Sequence, residues 1–315
     1  MTLLGVRNLR VHFPTEEGLV KAVNTVDLEM KGREKLGLIG ETGCGKTVLG
    51  MCIMRLLQPN TEVAGEIWYK GRDLLRLSEG EMRKVRGREI AMILQNPATS
   101  LNPVLRVGEQ IAEAIRLHQG LDKRTAWARA VEELEAVKIA SAEERAKEYP
   151  HQFSGGMQER AMIAMGLACD PALIIADEPT KGLDVKIKMQ VVRLLKEVVR
   201  EKAMLFITHD LGAAAEICDR IAVMYAGEIV ECAETSEIFR NPLHPYTQGF
   251  LNSLPNRGLK PIPGVSPSLI DLPSGCRFHQ RCDCATEICE EEHSEMVEVK
   301  EGHFVRCFLF GEKDA

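Results

Sequence analysis

Residues 34–47, EKLGLIGETGCGKT, join a short apolar run to a loop with the spacing G-x-x-x-x-G-K-T. The apolar run predicts a buried strand that ends in a tight turn. Glycines in the loop let backbone N–H groups close around phosphate oxygens, while Lys46 supplies positive charge and Thr47 a hydroxyl for Mg²⁺. A chance glycine-rich turn is the alternative. The candidate phosphate-contacting residues are Gly40, Glu41, Thr42, Gly43, Cys44, Gly45, Lys46 and Thr47.

A second apolar run, Leu173-Ile-Ile-Ala, ends in two adjacent carboxylates, Asp177 and Glu178. Such a run predicts a buried strand whose carboxyl end presents both acids. Asp177 is placed to hold Mg²⁺, and Glu178, on the other side of the pleat, to polarise an attacking water as a general base. Strand-end acids exposed to solvent would explain this motif alone, but not its combination with the glycine-rich loop.

The composition is that of an ordinary globular protein, with 45% hydrophobic and 27% charged residues among 315. The net charge of -6 argues against a nucleic-acid partner. No apolar run approaches the roughly 20 residues that cross a bilayer, and the first residues, MTLLGVRNLRVHFP, lack a signal-peptide core. We therefore expect a cytosolic chain, whose role at a membrane would require a separate embedded partner. In a reducing cytosol its ten cysteines are expected to be core residues or metal ligands rather than disulfides.

The order of patterns along the chain predicts an α/β fold with a mixed sheet. Residues 5–13 and 20–30 alternate polar and apolar side chains, which is typical of half-buried antiparallel strands. A helical insert is expected over about 97–165, where Val107 and Ile111 begin a repeat at helical spacing. The later alternation of buried strands and helices predicts a largely parallel sheet, with functional residues at the carboxyl ends of its strands.

Three further motifs are weak signals alone but informative in their order along the chain. Residues 154–158, SGGMQ, open a predicted helix whose N-terminus favours anions; ILQNP with Gln95 lies upstream and ITHD with His209 lies downstream. Alone, SGG is more often a plain turn. Together with the glycine-rich loop and the acidic strand end, these motifs resemble the ATP-binding-cassette (ABC) ATPases, which are P-loop proteins, over residues 1–235.

This resemblance implies that residues 1–235 form an ATP-hydrolysing domain that pairs head to tail with a second such domain. It implies that Phe13 stacks on adenine, that His209 contacts the γ-phosphate, and that Gln95 senses both Mg²⁺ and the attacking water. The implied Mg²⁺ ligands are Thr47, Gln95 and Asp177. The residues implied to contact the ATP of the opposite subunit, or to lie at the interface, are Ser154, Gly155, Gly156, Gln158 and Asp184.

Residues 241–255, NPLHPYTQGFLNSLP, narrow the resemblance to the ATPase subunits of importers for dipeptides, oligopeptides and nickel. In that family the His-Pro-Tyr-Thr run introduces a C-terminal extension, here residues 236–315. The resemblance implies transmembrane permease subunits as partners, a place on the cytoplasmic face of the membrane, and an extracytoplasmic solute-binding protein as an indirect partner. Di- or oligopeptides are the expected cargo, and nickel or another small solute is the alternative.

Two positions depart from the family pattern. Lys181-Gly182 stands where relatives usually have small neutral residues, so a positive charge would lie at the implied interface between the two domains. We therefore expect a heterodimer with a second, related ATPase subunit rather than a homodimer. Glu159 stands where a glutamine is common, which is a smaller departure.

The extension contains a cysteine cluster, in which Cys276, Cys282, Cys289 and Cys307 are separated by five, six and seventeen residues. This is neither the close pairing usual in zinc sites nor a standard ferredoxin run, and spacing alone leaves zinc, an iron–sulfur cluster and uncoordinated thiols open. The resemblance favours a [4Fe–4S] cluster, which some members of that family hold there. Because the extension is polar and Pro-rich, we expect the cluster to be a structural staple, remote from ATP, with Cys284 dispensable.

Two other classes of function compete with a transporter ATPase. A soluble ABC ATPase for DNA repair or translation would call for two cassettes in one chain or a long coiled-coil insertion, and the sequence has neither. An iron–sulfur electron-transfer protein would leave the complete phosphate site unexplained.

Overall fold

The computed structural model describes residues 2–311, apart from the side chains of residues 98 and 256. The strands are β1 (Thr2–Thr15), β2 (Gly18–Lys31), β3 (Lys35–Ile39), β4 (Glu62–Tyr69), β5 (Arg72–Asp73), β6 (Ile90–Ile93), β7 (Leu173–Asp177), β8 (Ala203–Thr208), β9 (Arg220–Tyr225), β10 (Glu228–Glu234), β11 (Val297–Lys300) and β12 (His303–Val305).

The α-helices are α1 (Lys46–Ile53), α2 (Glu79–Val85), α3 (Pro97–Ser100), α4 (Val107–Gln119), α5 (Lys123–Ala136), α6 (Ala142–Arg145), α7 (Gly155–Leu167), α8 (Val185–Val198), α9 (Leu211–Ile217), α10 (Thr235–Arg240), α11 (Pro245–Asn252) and α12 (Glu287–Glu291). Short 3-10 helices cover Leu74–Arg76, Pro150–Gln152, Pro255–Arg257 and His279–Arg281. Among the described residues, every helix is too short or too polar to cross a membrane.

The chain separates into two compact units. The first unit comprises residues 31–35 and 76–207, and the second comprises residues 2–30, 36–75 and the chain from 208 onward. The helical insert therefore lies in the first unit, and the glycine-rich loop and the whole C-terminal extension lie in the second.

In the first unit, strands β8, β7 and β6 are neighbours and run parallel, with Ile93 of β6 opposite Ala176 of β7. All five residues of β7 are buried, because a parallel strand that is covered on both faces has no polar side. In α4 the predicted helical repeat is confirmed, since Val107 and Ile111 are both buried along one face.

The second unit contains an antiparallel sheet with the strand order β2-β1-β4-β5, as the alternating pattern predicts. It also contains the series β11-β12-β10-β9-β3, in which β3 pairs parallel with β9 and the other pairs are antiparallel. The expected α/β class with a mixed sheet is therefore confirmed. Because β12 pairs with β10, the C-terminal extension adds strands to this sheet.

Candidate functional site

The glycine-rich loop, residues 40–47 and hereafter the P-loop, joins the buried strand β3 to helix α1. Gly40 and Gly45 have φ angles of 154° and 109°, which L side chains rarely adopt. A Cβ atom on Gly40 would lie 2.1 Å from the carbonyl oxygen of Met224, and one on Gly45 would lie 2.1 Å from that of Ala22. The loop therefore packs against neighbouring backbone at both ends, which only glycine permits.

Lys46 lies inside the loop rather than in solvent, with 6% of its surface exposed. Its Nζ donates hydrogen bonds to the carbonyl oxygens of Gly40 and Glu41, both at 2.8 Å. Thr47, in the first turn of α1, is exposed. The structure thus places the cation and the hydroxyl at the positive end of a helix, the arrangement that binds phosphate.

The His-Pro-Tyr-Thr run of the extension contacts the P-loop directly. The hydroxyl of Tyr246 accepts a hydrogen bond from the backbone N–H of Glu41 at 2.9 Å. His244 prepares this contact, because its Nδ1 accepts the backbone N–H of Tyr246 at 3.0 Å and so caps α11. Glu231, fully buried, accepts the backbone N–H of His244 at 2.9 Å. Burial lowers the pKa of His244 to about 3, so its ring is neutral.

A second contact joins the extension to the same loop residue. Two nitrogens of Arg281 donate to the two carboxylate oxygens of Glu41 at 2.9 and 3.1 Å, and Ser266 donates to that carboxylate too. Burial is the largest influence on Glu41 and opposes ionisation, but the hydrogen bonds from Arg281 and Ser266 hold the pKa of its carboxyl below the ordinary value. Arg281 immediately precedes Cys282. A residue next to the cysteine cluster therefore contacts the P-loop, contrary to the expectation that the flanks of the cluster make no such contact.

Sequence reasoning missed these roles of Tyr246 and Arg281. The His-Pro-Tyr-Thr run was visible as a motif, but its tyrosine lies 205 positions from Glu41, and Arg281 lies 240 positions away in a segment without any regular pattern. Two other candidates lie on separate elements of the same unit. Phe13 is half-buried on β1, and His209 is exposed in the turn before α9.

In the first unit, the acidic pair lies where the sequence predicts, at the carboxyl end of β7. Asp177 is 2% and Glu178 8% exposed. Glu178 has a φ of 49°, in the left-handed region, and its N–H donates to the carbonyl of Ile207 at 2.9 Å. A buried acid held in such a conformation is typical of functional sites. Gln95 follows the parallel neighbour β6, so the structure brings all three side chains to the same edge of this sheet.

The SGGMQ motif opens α7, with Ser154 at its N-cap and exposed. A Cβ atom on Gly156 would lie 3.0 Å from Cγ2 of Ile187 in α8, so the glycine permits close packing of the two helices. The side-chain amide of Gln158 donates to the carbonyls of Pro150 and Phe153 at 2.8 and 3.3 Å. Gln158 therefore fixes the loop that leads into the helix.

Glu159, the next residue, is 1% exposed, and its Oε1 has no hydrogen-bond partner among the described residues. Burial raises the pKa of its carboxyl to about 8. The departure from glutamine, which looked minor in the sequence, thus places an acid that is mostly protonated at neutral pH in the interior of the first unit.

Two buried residues, Pro179 and Thr180, follow the acidic pair, and the chain then becomes exposed to solvent. Lys181, Gly182, Asp184 and Val185 are all exposed, Val185 to 76%. Asp184 caps α8, since its Oδ1 accepts the backbone N–H groups of residues 186 and 187 at 3.0 Å each. A single exposed valine is ordinary on a protein surface, so these exposures alone do not define an interface.

The cysteines of the extension lie near one another. Cys276, Cys282 and Cys289 are half-buried, Cys307 is buried and Cys284 is exposed. Burial, with smaller contributions from Cys276, Cys289 and Cys284, raises the pKa of the Cys307 thiol to about 11. The side chains from residue 2 to residue 311 nevertheless include no group of three or more His, Cys, Asp or Glu that could hold a metal ion as they stand. The cysteine side chains are suitable ligands for a thiolate-bound metal, but the described side chains are not arranged around a common metal position.

The fold and the motifs together define a P-loop ATPase of the ABC class. The family model described as "ABC transporter" matches residues 23–181, and the model described as "Oligopeptide/dipeptide transporter, C-terminal region" matches residues 230–289. The chain belongs to the ABC transporter family and is an ABC ATPase.

Relatives match nearly the whole chain. The probable peptide ABC transporter ATP-binding protein y4tR of Sinorhizobium fredii is 48% identical over 98% of this chain and 96% of its own length. The oligopeptide transport ATP-binding protein OppD of Haemophilus influenzae is 44% identical over 99% of this chain and 98% of its own length. Among solved structures, the dimeric, ADP- and phosphate-bound ATP-binding cassette MJ0796 matches with a TM-score of 0.66 and 27% identity, over 74% of this chain and 98% of that one.

Proposed function

We propose that this protein hydrolyses ATP to power a membrane importer of dipeptides or oligopeptides. The observation that carries the proposal is the match of residues 230–289 to the second family model. A chain with the ABC motifs continues into a region that resembles the C-terminal region of oligopeptide and dipeptide transporters. Tyr246 of that region bonds to the P-loop, so the two parts act on one site. The peptide transporters among its relatives support the same cargo.

In this proposal residues 1–235 are the nucleotide-binding domain, with a helical insert at about 97–165, and residues 236–315 are the extension. Backbone N–H groups of the P-loop and Lys46 bind the phosphates of ATP, and Phe13 stacks on adenine. Glu178 accepts a proton from the attacking water, and His209 contacts the γ-phosphate.

Mg²⁺ fits the donors available for it. Thr47, Gln95 and Asp177 offer hydroxyl, amide and carboxylate oxygens, which are the ligands that Mg²⁺ prefers. When bound, the ion would neutralise charge on the phosphate oxygens.

In this proposal the protein lies on the cytoplasmic face of the membrane, and its partners are transmembrane permease subunits and a second, related ATPase. The exposed segment around Lys181 and Asp184 and the N-terminus of α7 at Ser154 would face the ATP of that second subunit. The cassette MJ0796 was solved as a dimer, which supports pairing. The lysine favours a heterodimer over a homodimer.

Reconstitution tests the transport proposal. The protein, its candidate permease subunits, a second ATPase and a solute-binding protein are placed in vesicles, and uptake of a labelled peptide is measured with and without ATP. We expect ATP-dependent peptide uptake that Glu178→Gln abolishes. Uptake of nickel but not of peptide would mean that nickel is the cargo. ATPase activity without association with any permease would indicate a soluble ABC ATPase instead.

We further propose that Cys276, Cys282, Cys289 and Cys307 bind one [4Fe–4S] cluster, with zinc as the alternative. Four thiolates complete such a cluster, and the mutual influence of these thiols on their pKa values supports their proximity. Ligation would require a local adjustment of the side chains.

The test compares two neighbouring cysteines after anaerobic purification. Iron and sulfide should be present in wild-type protein and in Cys284→Ser, and should be lost in Cys282→Ser, because only Cys282 is a proposed ligand. Stoichiometric zinc in protein never exposed to oxygen would contradict the proposal, as would loss of iron in Cys284→Ser.

A further inference from the structure

The contact between Arg281 and Glu41 is a largely buried ion pair rather than a surface one. The Arg281 side chain is 7% and the Glu41 side chain 25% exposed, and both guanidinium–carboxylate bonds have normal lengths of 2.9 and 3.1 Å. A bidentate pair of this kind fixes geometry as well as charge.

Other groups of the second unit hold the arginine in place. Its Nε donates to the carbonyl of Pro263 at 2.9 Å, and Nη1, one of the two nitrogens that bind Glu41, also donates to the hydroxyl of Tyr225 at 3.3 Å. The guanidinium also lies over the rings of Tyr225 and Phe278, 5.8 and 5.9 Å from their centres. An arginine with this many partners is preorganised, so little order is lost when it binds the carboxylate.

The segment around Arg281 is anchored to the rest of the second unit at another point. The carbonyl of Leu269 accepts the backbone N–H of Lys21 in β2 at 2.8 Å, and Ile270 lies where a side chain on Gly18 would be. Residues 266–281 therefore contact the P-loop at Ser266 and Arg281 and the β1–β2 hairpin at residues 269–270.

Glu41 presents an electrostatic problem at this position. The P-loop must accept a polyphosphate, and a carboxylate on the loop repels it by an amount that grows as water is excluded. Arg281 cancels that charge. Arg281, Ser266 and Tyr246 all form hydrogen bonds with Glu41. Together these bonds also fix the backbone at the start of the P-loop.

We propose that Arg281 is a positioning residue for ATP binding, which neutralises Glu41 and holds the first turn of the P-loop, so that the C-terminal extension is part of the nucleotide-binding apparatus. The proposal rests on the assignment of the P-loop as the phosphate site. It assigns to the extension a role in ATP affinity that holds whether or not its cysteines bind metal.

The experiment measures the dissociation constant of MgATP for the full-length protein and five variants by titration with a fluorescent ATP analogue. Arg281→Gln should weaken binding about tenfold, because it leaves an uncompensated carboxylate beside the phosphates. Glu41→Gln provides the second background for the same substitution. In that background Arg281→Gln should change ATP affinity by no more than about threefold, since no carboxylate remains for the arginine to neutralise.

Arg277→Gln is the matched control. Arg277 lies four positions earlier, beside another proposed cluster ligand, and pairs with Glu228 at 3.2 Å rather than with the P-loop. It should leave ATP affinity within about twofold of wild type, while its effect on the melting temperature is similar to that of Arg281→Gln.

The changes in ATP affinity among these variants distinguish the proposal from its alternatives. A structural role of Arg281 that does not act through Glu41 would make Arg281→Gln weaken ATP binding equally in the wild-type and Glu41→Gln backgrounds, and this would overturn the proposal, as would an unchanged affinity in Arg281→Gln. Lys46→Ala tests the underlying assignment, because unchanged ATP binding in that variant would mean that the P-loop is not the phosphate site. If Arg281→Gln does not fold, the comparison of Glu41→Gln with the double variant still decides, since the proposal requires these two to bind ATP within about threefold of each other.

Discussion

The P-loop and the segment Glu178 to Asp184 both follow a buried strand and both carry proposed ATP-site residues, yet they are held very differently. The P-loop is fixed from outside by Tyr246 and Arg281 of the extension and by close packing of its glycines. In the other segment the buried Glu178 donates its N–H to the carbonyl of Ile207. From Lys181 the chain is largely exposed until Asp184 caps the helix that follows.

This difference indicates a division of labour. A loop that binds phosphate gains affinity when its geometry is set in advance, because less order is lost on binding. A segment that we propose a second subunit to complete must instead be accessible, as Lys181 and Val185 are. The predictions below test each side of this contrast, from the largest expected effect to the smallest.

Glu178→Gln should lower the rate of ATP hydrolysis by about 10²–10⁴-fold, the range expected when a general base is lost. ATP binding should be nearly unchanged, because the amide keeps the shape of the side chain. Steady-state hydrolysis and ATP titration measure the two quantities. Substantial remaining turnover would remove Glu178 from its proposed role. His209→Ala should show the same split between hydrolysis and binding.

Glu159→Gln should remove a pH-dependent loss of stability in the first unit. The folded-state pKa of Glu159 is raised to about 8 from an ordinary value of 4.5, so the unfolded chain releases this proton first as pH rises. The associated stability is fully present below pH 4.5 and is lost by pH 8, at a slope of up to about 1.4 kcal/mol per pH unit. Glutamine cannot ionise and should flatten this slope.

Urea unfolding of wild type and Glu159→Gln near pH 5 and near pH 8 provides the measurement. The free-energy difference between the two proteins should favour the variant increasingly at the higher pH. A difference that does not change with pH would mean that Glu159 is ionised and paired in the folded protein.

Tyr246→Phe should weaken ATP binding about tenfold, because it leaves the N–H of Glu41 without its acceptor, a loss worth about 1–3 kcal/mol. Phe250→Leu is the matched control, since Phe250 stacks on Tyr246 at 5.7 Å and its replacement disturbs packing but no hydrogen bond to the P-loop. Equal ATP affinities in the two variants would show that the hydroxyl does not support the loop.

Lys181→Ser should have the smallest effect, a rise of a few-fold in ATP-dependent self-association, because it removes one exposed charge from the proposed interface. Sedimentation of Glu178→Gln with MgATP, with and without Lys181→Ser, measures it. A tight homodimer in the protein that retains Lys181 would argue for symmetric pairing and against a required second ATPase.

The sequence alone determined the parts of this protein whose signals are local. The glycine spacing at 40–45, the apolar run at 173–176 and the helical repeat at Val107 and Ile111 each report a strand, turn or helix over a few residues, and those elements are found in the structure. Such local signals are strong because backbone geometry fixes the periods of strand and helix.

Only the tertiary structure decided what holds the P-loop. Arg281 and Tyr246 lie more than two hundred positions from Glu41 in the chain, and no period or spacing connects them. The burial of Glu159, whose Oε1 has no hydrogen-bond partner in the described part of the chain, was equally invisible, because it depends on what packs around one side chain. Contacts of this kind arise when β12 pairs with β10 and the extension packs around the P-loop, and only the folded chain specifies that pairing.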